Sequence, residues 1–596
     1  MSLAASLKAA VRLEWFPLFQ TLRAYRLEHL RADVPASLTV ALLVIPQGIA
    51  YAMIAGLPPV YGLYSSVVTT FFCALFNHSD LVICGPTNAI SLMIASVWMT
   101  TGLLSVREDP VQVVTLLTLL VGVIQLAFGL LKVGNLSQFV SRGVMVGFLS
   151  GAGLLIAINQ VPTFLGLQLP PAKHFLGQVW GMITRATELN PFATAVGAGT
   201  MLLVFLGERY FPRWPSALLA ITMAAIVVYA FDLESFDVAL IGEIPRGLPP
   251  VSLPKLQLTK IADLADNALA IAILGCIETL SIAKSLSLST GRRNDNNRDF
   301  VALGVSHVTG SFFSCMPGCG SLTRSALNHQ AGARTRMAAI LSAVWVGAVL
   351  VALGPVARYI PKASLAGMLI VLGLRVIKWD EIQIALRATR SDAVVLLITF
   401  VCTLLLHLET AIYVGVISSL VLFLRKASAP HLVEYDLEGD NFREIANGSE
   451  RSNPEISIIH VEGELFFGAS ELFEDEVRRL AKDPNIRVVI LRLKRARHLD
   501  ATAVMALKSL WQFLRDNNRL LVISGPSDEV MRVLRRSRIL QFIGEDNIFP
   551  AEENLTAATR KALQRAQQFL GKEVKPEVRV FYEQTRAEQQ GIKPGA

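Results

Sequence analysis

The sequence predicts an all-α membrane protein that crosses the bilayer many times and carries a small soluble α/β domain at its C-terminal end. Three observations carry that prediction. Of the 596 residues, 53% are hydrophobic and only 17% charged, and the mean hydropathy is +0.49, too apolar for a chain that faces water throughout. The apolar residues are also unevenly placed: from Ser37 to Leu424 they form long uncharged runs, whereas beyond Lys426 charges recur every few positions, as on a solvated surface. Third, two Gly- and Pro-interrupted stretches, around Gly85 and around Gly320, stand at matching places in the two halves of the apolar region.

Residues 1–33 are mixed in character, with Trp15, Arg23, Arg26 and Arg31 suited to a surface-lying cytoplasmic stretch, and nothing there reads as a cleaved signal. From residue 34 to 427 the apolar runs are read against the roughly 20 residues that a helix needs to cross the hydrocarbon. In the first half they are Leu38–Ala55, Val60–Phe76, Pro86–Thr101, Val111–Leu131, Phe139–Ile158, Phe192–Leu206 and Pro215–Phe231. In the second they are Leu264–Ile282, Phe300–Phe313, Ser321–Gln330, Ala338–Val356, Leu365–Ile377, Ala393–Leu406 and Ala411–Leu424. That makes about fourteen segments, several too short to span alone, in two repeats at residues 34–232 and 262–427. Opposite orientation of the two halves is the form of an inverted repeat.

Short cytoplasmic loops collect Lys and Arg. Here alternate connections hold Lys132 with Arg142, Arg209 with Arg213, Arg292 with Arg293 and Arg298, Arg334 with Arg336, and Arg375 with Lys378, Arg387 and Arg390; Arg358 and Lys362 depart from the pattern. The expectation is a multi-pass protein of the cell inner (plasma) membrane with both termini cytoplasmic, in contact with lipid. These loops also account for the net charge of +8, so nucleic acid is not expected as a partner. The six cysteines fall in apolar segments without a metal-ligand pattern and are read as small buried residues.

Gly85-Pro86-Thr87-Asn88-Ala89 opens the third segment, and Gly318-Cys319-Gly320-Ser321-Leu322-Thr323-Arg324 opens the tenth. A half-helix that begins at mid-membrane leaves its first N–H groups unpaired, so two such N-termini facing each other offer donors and positive dipole ends to an anion. Irregular backbone at that depth must line a cavity or lie inside protein. Arg324 adds a charge that is not neutralised and that costs at least about 3 kcal/mol in the bilayer. It makes the site electropositive, pairs structurally with an acid, or sits close enough to the interface to snorkel. Glu278 is a second charge, in the otherwise apolar run Ala268–Leu280, and is expensive unless paired, protonated or cation-bound.

These stretches, together with Asp33-Val34-Pro35-Ala36-Ser37, Pro46-Gln47-Gly48-Ile49-Ala50-Tyr51-Ala52, Ala55-Gly56-Leu57-Pro58-Pro59-Val60-Tyr61-Gly62-Leu63-Tyr64 and Ala331-Gly332-Ala333-Arg334-Thr335, strongly resemble the SulP anion permease family, also called solute carrier family 26. The resemblance runs through essentially the whole chain. It implies a core domain (first four and eighth to eleventh segments), a gate domain (fifth to seventh and twelfth to fourteenth), and an anion held between half-helices three and ten and carried by an elevator-like motion. Carried over, Gln47 and Tyr51, Thr87 with Asn88 and Ala89, and Ser321, Leu322, Thr323 and Arg324 form the substrate pocket. Gln47 and Tyr51 also lie one turn apart on one helix face and offer amide and hydroxyl donors, for an anion or for helix packing.

The same resemblance places an acid at Glu278, which with Thr279 or Ser281 is expected to admit H⁺ or Na⁺ for symport; the rival is a fixed Glu278–Arg324 ion pair in an exchanger. No other cofactor, no metal site and no catalytic residue is expected. One departure is Gly304-Val305-Ser306-His307-Val308-Thr309-Gly310, where the family usually has Asn near Ser306 and His307. His307 is read as a packing histidine ahead of a proton relay.

From Ile456 the pattern becomes strand and helix in alternation: Ile456–Val461, Ser470–Ala481, Val488–Leu493, Ala501–Asn517, Leu520–Ser524 and Ser527–Ser537. Residues 455–553 resemble the STAS domain that ends most members of the family, through Val461-Glu462-Gly463-Glu464-Leu465-Phe466-Phe467-Gly468 and Leu499-Asp500-Ala501-Thr502-Ala503. Soluble STAS proteins carry a phosphorylatable Ser after the Asp; Ala501 has no hydroxyl, and Thr502 is read as a helix cap. The expected role is assembly of a homodimer and binding of a cytoplasmic regulator. Residues 554–596 read as helical, then polar and loosely ordered.

The function expected is secondary active transport of small inorganic or organic anions (sulfate, bicarbonate or dicarboxylate), cation-coupled, with an uncoupled exchanger or channel of the same fold as the alternative. A nucleobase carrier is disfavoured by Arg324 and the tail. A membrane sensor would lose its output on deletion of the tail. No nucleophile–base set or phosphate-binding loop points to an enzyme.

Overall fold

Uncharged runs of this length satisfy their backbone away from water as α-helices, and the computed structural model places a helix on each of the apolar runs. The structure describes all residues except 1–16, 102–108, 135–140, 168–174, 212–214, 243–246, 292–293, 428–430, 439–440, 445–452, 466–472, 476, 480–482, 498, 553–556 and 572–596. Trp15, Arg213, Arg292, Arg293, Phe466 to Gly468 and much of the expected helix Ser470–Ala481 therefore lie outside the described residues. Two units divide the chain, Met1–Ser419 and Leu420–Ala596.

The first half holds α1 (Pro17–Arg23), α2 (Leu27–Ile54), α3 (Pro59–Phe76), β1 (Cys84–Gly85), α4 (Asn88–Thr101), α5 (Pro110–Leu130), α6 (Arg142–Phe164), α7 (Phe175–Thr184), α8 (Pro191–Tyr210) and α9 (Ser216–Ala230). The second holds α10 (Leu258–Thr290), α11 (Asn296–Ser311), β2 (Cys319–Gly320), α12 (Leu322–Gln330), α13 (Met337–Leu353), α14 (Lys362–Val376), α15 (Trp379–Ala388), α16 (Arg390–Leu405) and α17 (Leu408–Ala427). Among the described residues, six helices are long and apolar enough to cross a membrane: α2, α3, α5, α6, α10 and α17. α4, α8, α9 and α13 are shorter and apolar.

Two helices outrun their apolar stretches. α2 starts at Leu27, so Arg31 and the boundary expected at residue 34 fall inside a helix that also carries Pro35 and Pro46. α10 continues through polar ends until Gly291, whose left-handed φ of 69° stops it. The short helices α1, α7 and α15 have no counterpart among the expected segments, because runs of seven to ten residues fall below any span-length criterion.

Glycines set how the helices pack. A Cβ on Gly122 of α5 would stand 2.6 Å from Val308 N, and one on Gly304 of α11 would stand 2.5 Å from Leu126 N, so α5 and α11 approach backbone to backbone. α13 packs on α3, with α2 and α10 alongside; these elements, with α4, α5, α11 and α12, form one group. A second group holds α14 and α16 on α6, and α8 and α9 on α14. The first group is a core and the second a gate. α17 is hydrogen-bonded to the core: Glu409 accepts from Ser96 of α4 at 2.7 Å, and the Tyr413 hydroxyl donates to the Asp266 carbonyl of α10 at 2.8 Å.

Two of the sequence stretches that carry the family resemblance meet in space. Asp33, buried on α2, accepts from the Arg334 and Thr335 amides at 2.8 and 3.2 Å, tying the first core helix to the turn after α12.

In the second unit β3 (His431–Glu438), β4 (Asn441–Glu444), β5 (Ile456–Glu464), β6 (Val488–Arg497), β7 (Leu520–Ser524) and β8 (Ile548–Phe549) form one sheet in the order β4-β3-β5-β6-β7-β8. β5 to β8 run parallel, and β3 pairs antiparallel with β4 and β5. Side chains alternate between faces: Ile459 and Val461 pack with α18 (Ala501–Asp516) and α19 (Asp528–Arg536). Ile456 and Ile458 pack on the other face, with Ala562 and Ala566 of α21 (Ala557–Phe569), the helix that follows the short α20 (Leu540–Ile543) and β8. The sheet thus takes in β3 and β4, ahead of the boundary expected at residue 455. Thr502 is not the cap of α18: Asp500 accepts from the Ala503 amide at 2.9 Å, and Thr502 is exposed.

Candidate anion site in the membrane unit

The site is built on β1 and β2, which pair antiparallel through Cys84–Gly320 and Gly85–Cys319. Each half-helix follows directly on its strand, so antiparallel pairing sends α4 and α12 in opposite directions from one buried ribbon and brings their N-termini to its two ends. Glycine is required here. A Cβ on Gly318 would lie 2.2 Å from the Gly85 carbonyl oxygen, and Gly85 holds a φ of +147° with Arg324 Nη1 2.9 Å from any added Cβ.

Polar side chains fix the ribbon from outside. Ser321, the N-cap of α12, donates its amide to the Ile83 carbonyl at 2.9 Å, while the Ile83 amide donates to Ser325 Oγ at 2.9 Å. Thr70 Oγ1 donates to the Cys84 carbonyl at 2.6 Å. Thr279 Oγ1 accepts from the Gly320 amide at 2.8 Å and donates to the Gly275 carbonyl, which makes it an anchor for β2.

His307 is 1% exposed, and its Nε2 accepts from the Gly318 amide at 3.0 Å. That bond sets the tautomer: Nδ1 carries the proton and donates to Gln125 Oε1 at 2.7 Å. His307 is thus a satisfied packing histidine that holds the strand. His307→Ala is expected to lower thermal stability, by about 1–3 kcal/mol for the unsatisfied amide it leaves. His307→Asn, with an acceptor on a shorter arm, should recover part of that loss in a melting experiment on the purified protein.

Arg324 is 1% exposed. Its Nη2 donates to the Pro86 carbonyl beyond β1, and its Nε has no protein partner. A buried guanidinium with five N–H donors is poorly satisfied by one neutral carbonyl. Glu278 accepts from the Cys319 thiol at 2.8 Å, and no ion pair joins it to Arg324 among the described residues. The fixed Glu278–Arg324 pair is therefore not formed.

The other expected residues divide. Gln47 and Tyr51 are buried one turn apart on α2, with Gln47 Oε1 unpartnered. Tyr51 lies within electrostatic range of Arg324, Cys319 and Glu278. The Thr87 hydroxyl sits 3.2 Å from Cys319 Sγ, and Asn88 Oδ1 is buried without a partner. Ala89 packs into the apolar core. Leu322 is 42% exposed, Thr323 is exposed with its hydroxyl 3.3 Å from Ser321 Oγ, and Ser281 is exposed on α10. Sequence reasoning missed Gln125, Thr70 and Cys319; cysteine in an apolar run carries no signal that separates a hydrogen-bonded thiol from a packing one.

Opposed half-helices around a buried, under-satisfied arginine, set in a two-group helical fold, are the arrangement of a membrane transporter. The chain belongs to the sulfate permease family: the model of that family matches residues 30–399, and the STAS domain model matches residues 450–555. It is an anion transporter of this family and not an enzyme. It is 30% identical over 577 residues to sulfate transporter 4.1, chloroplastic, of Arabidopsis thaliana, covering 91% of this chain and 83% of that protein. Its fold matches murine solute carrier 26 family member A9, an anion transporter solved in the inward-facing state, with a TM-score of 0.84 at 20% identity, over 94% of this chain and 95% of that one. It also matches the transmembrane domain of the cyanobacterial bicarbonate transporter BicA, with a TM-score of 0.58 at 24% identity, over 66% of this chain and 98% of that one.

Proposed function

We propose that this protein is a secondary active transporter of small oxyanions, sulfate first among them, in the plasma membrane, with both termini cytoplasmic and with uptake driven by protons. The observation that carries the reading is Arg324: a fixed positive charge, buried where two helix N-termini meet, with Nε unpartnered. Sulfate and bicarbonate both suit such a centre, and the names of the relatives favour sulfate. Elevator-type movement of the core against the gate is supported by the division of the helices into two groups. A proton is favoured over Na⁺ because Glu278 has a thiol as its hydrogen-bond partner, Thr279 is committed to β2, and Ser281 is exposed. The STAS domain, with Ala501 after its Asp, serves homodimer assembly and binding of a regulator without phosphorylation at that position.

The test is competition uptake in proteoliposomes across sulfate, bicarbonate, chloride, nitrate, oxalate and C4-dicarboxylates, with and without Na⁺ and a pH gradient. Glu278→Gln is expected to abolish proton-driven accumulation while sulfate binding survives. Unchanged gradient dependence in that variant would remove Glu278 from the coupling.

A further inference from the structure

Cys319 stands between the two charges' territories. Its Sγ donates to Glu278 Oε2 at 2.8 Å, and the same sulfur lies 3.2 Å from Thr87 Oγ1, the hydroxyl that immediately precedes half-helix α4. The strand that carries it is held in register by Gly85, by Thr279 and by His307, so the sulfur has little freedom to leave either partner. Glu278, Cys319 and Thr87 form one hydrogen-bonded chain from the middle of α10 to the N-terminus of α4.

We propose that Cys319 is a positioning residue that couples protonation of Glu278 to anion binding by reversing the direction of this chain. The inference rests on the transport reading above and extends it.

With Glu278 ionised, its carboxylate only accepts, so the thiol proton points to Oε2 and the thiol sulfur is left to accept from Thr87. The Thr87 O–H is then turned toward sulfur and away from the half-helix ends. When a proton from water binds Glu278, the carboxyl becomes the donor: its O–H points to Sγ, the S–H swings to Thr87 Oγ1, and the Thr87 O–H is released toward the N-termini of α4 and α12. One proton is gained, by Glu278, and no bond to Cys319 or Thr87 breaks; two X–H bonds only rotate. The result is one additional hydrogen-bond donor for an anion at Arg324, present only when Glu278 is protonated. Anion affinity and proton uptake then favour each other, as reciprocal linkage requires.

Among the described residues, the other titratable or charged groups in this neighbourhood are Arg324 on α12, Tyr51 on α2 and the Cys84 thiol on β1, whose sulfur accepts from Cys73 at 3.0 Å, with His307 on α11 turned to the Gly318 amide; α4 and α5 contribute none. Arg324 keeps its charge throughout, and His307 has both ring nitrogens committed. The loss of negative charge on Glu278 by itself also favours an anion, and that contribution is common to wild type and to Cys319 variants. What distinguishes the chain is the part that disappears with the thiol.

The experiment measures the apparent KM for radiolabelled sulfate uptake by the full-length protein in proteoliposomes at about pH 5.5 and about pH 8. Wild type is expected to bind more tightly at the lower pH, with the released donor supplying about tenfold, the worth of one hydrogen bond to an anion. Cys319→Ala and Thr87→Val should each lose that tenfold part of the pH ratio. Cys319→Ser, whose hydroxyl both donates and accepts, should restore it, which a merely space-filling thiol would not require. Cys319→Ala with the wild-type pH ratio, or Cys319→Ser failing as Cys319→Ala does, overturns the proposal. Wild-type uptake of sulfate with the same KM at both pH values also overturns it while leaving anion transport standing; absence of uptake for every anion of the panel overturns the transport reading and the inference with it.

Discussion

Replacing Arg324 with alanine is expected to abolish saturable anion uptake. Among the described residues, the guanidinium is the fixed cation at the N-termini of α4 and α12 that is buried without a carboxylate partner. Removing it takes away both the charge and a charge-assisted hydrogen bond, worth together about 2–4 kcal/mol, or roughly 30- to 1,000-fold in affinity. Arg324→Lys should fall between. An ammonium keeps the charge but is a point donor, and it does not hold the Pro86 carbonyl and an anion in the fork geometry that arginine provides. Sulfate binding by calorimetry on detergent-solubilised protein, with a melting curve to show that each variant is folded, checks this. An Arg324→Ala protein that binds sulfate within about threefold of wild type, a difference under about 1 kcal/mol, would displace Arg324 from the site.

The second large effect is expected at Gly318. A methyl group there meets the Gly85 carbonyl oxygen at 2.2 Å, and backbone on both sides leaves no flexible side chain to yield. β1 and β2 must part, which moves Pro86 and Cys319 together and spoils both helix ends at once. Gly318→Ala should cost about 1–3 kcal/mol of stability as overpacking and should remove sulfate binding altogether. Gly199→Ala on α8, where an added Cβ meets nothing within 4 Å, is the matched control and should melt at or slightly above the wild-type temperature. Thermal unfolding of the two variants side by side reads the difference.

Much of this arrangement was legible in the chain because membrane helices announce themselves by length and apolarity. Pro59–Phe76, Pro110–Leu130 and Ser216–Ala230 differ from the expected runs by only a residue or so at either end. The two half-helices were legible for another reason: Gly85-Pro86 and Gly318 to Gly320 interrupt apolar runs at a depth where only a site or a packed interior tolerates irregular backbone. Arg324 stood out because its burial is costly. What was not legible depends on contacts between residues far apart in sequence. Glu278 and Arg324 are opposite charges in neighbouring helices, yet each turned to a different partner, Cys319 and Pro86, and only the register of β1 on β2 decides that. Thr279 stood out only as a hydroxyl beside Glu278, and its anchoring of Gly320 depends on a strand 41 residues further on. Thr502 read as a cap, but Asp500, two residues further out, accepts from the Ala503 amide and takes that place. The edge strands β3 and β4 lie in polar sequence, where pairing with β5 supplies the order that periodicity does not show.

Carriage of an anion through the site at Arg324 at the expense of a proton gradient is open to one decisive assay. The most direct measurement is radiolabelled sulfate accumulation by wild-type protein in proteoliposomes with the external face acidified. The expected result is saturable uptake against the sulfate gradient that collapses when a protonophore is added. Uptake that is linear in concentration and indifferent to the protonophore, or no uptake of any anion in the panel, would contradict it.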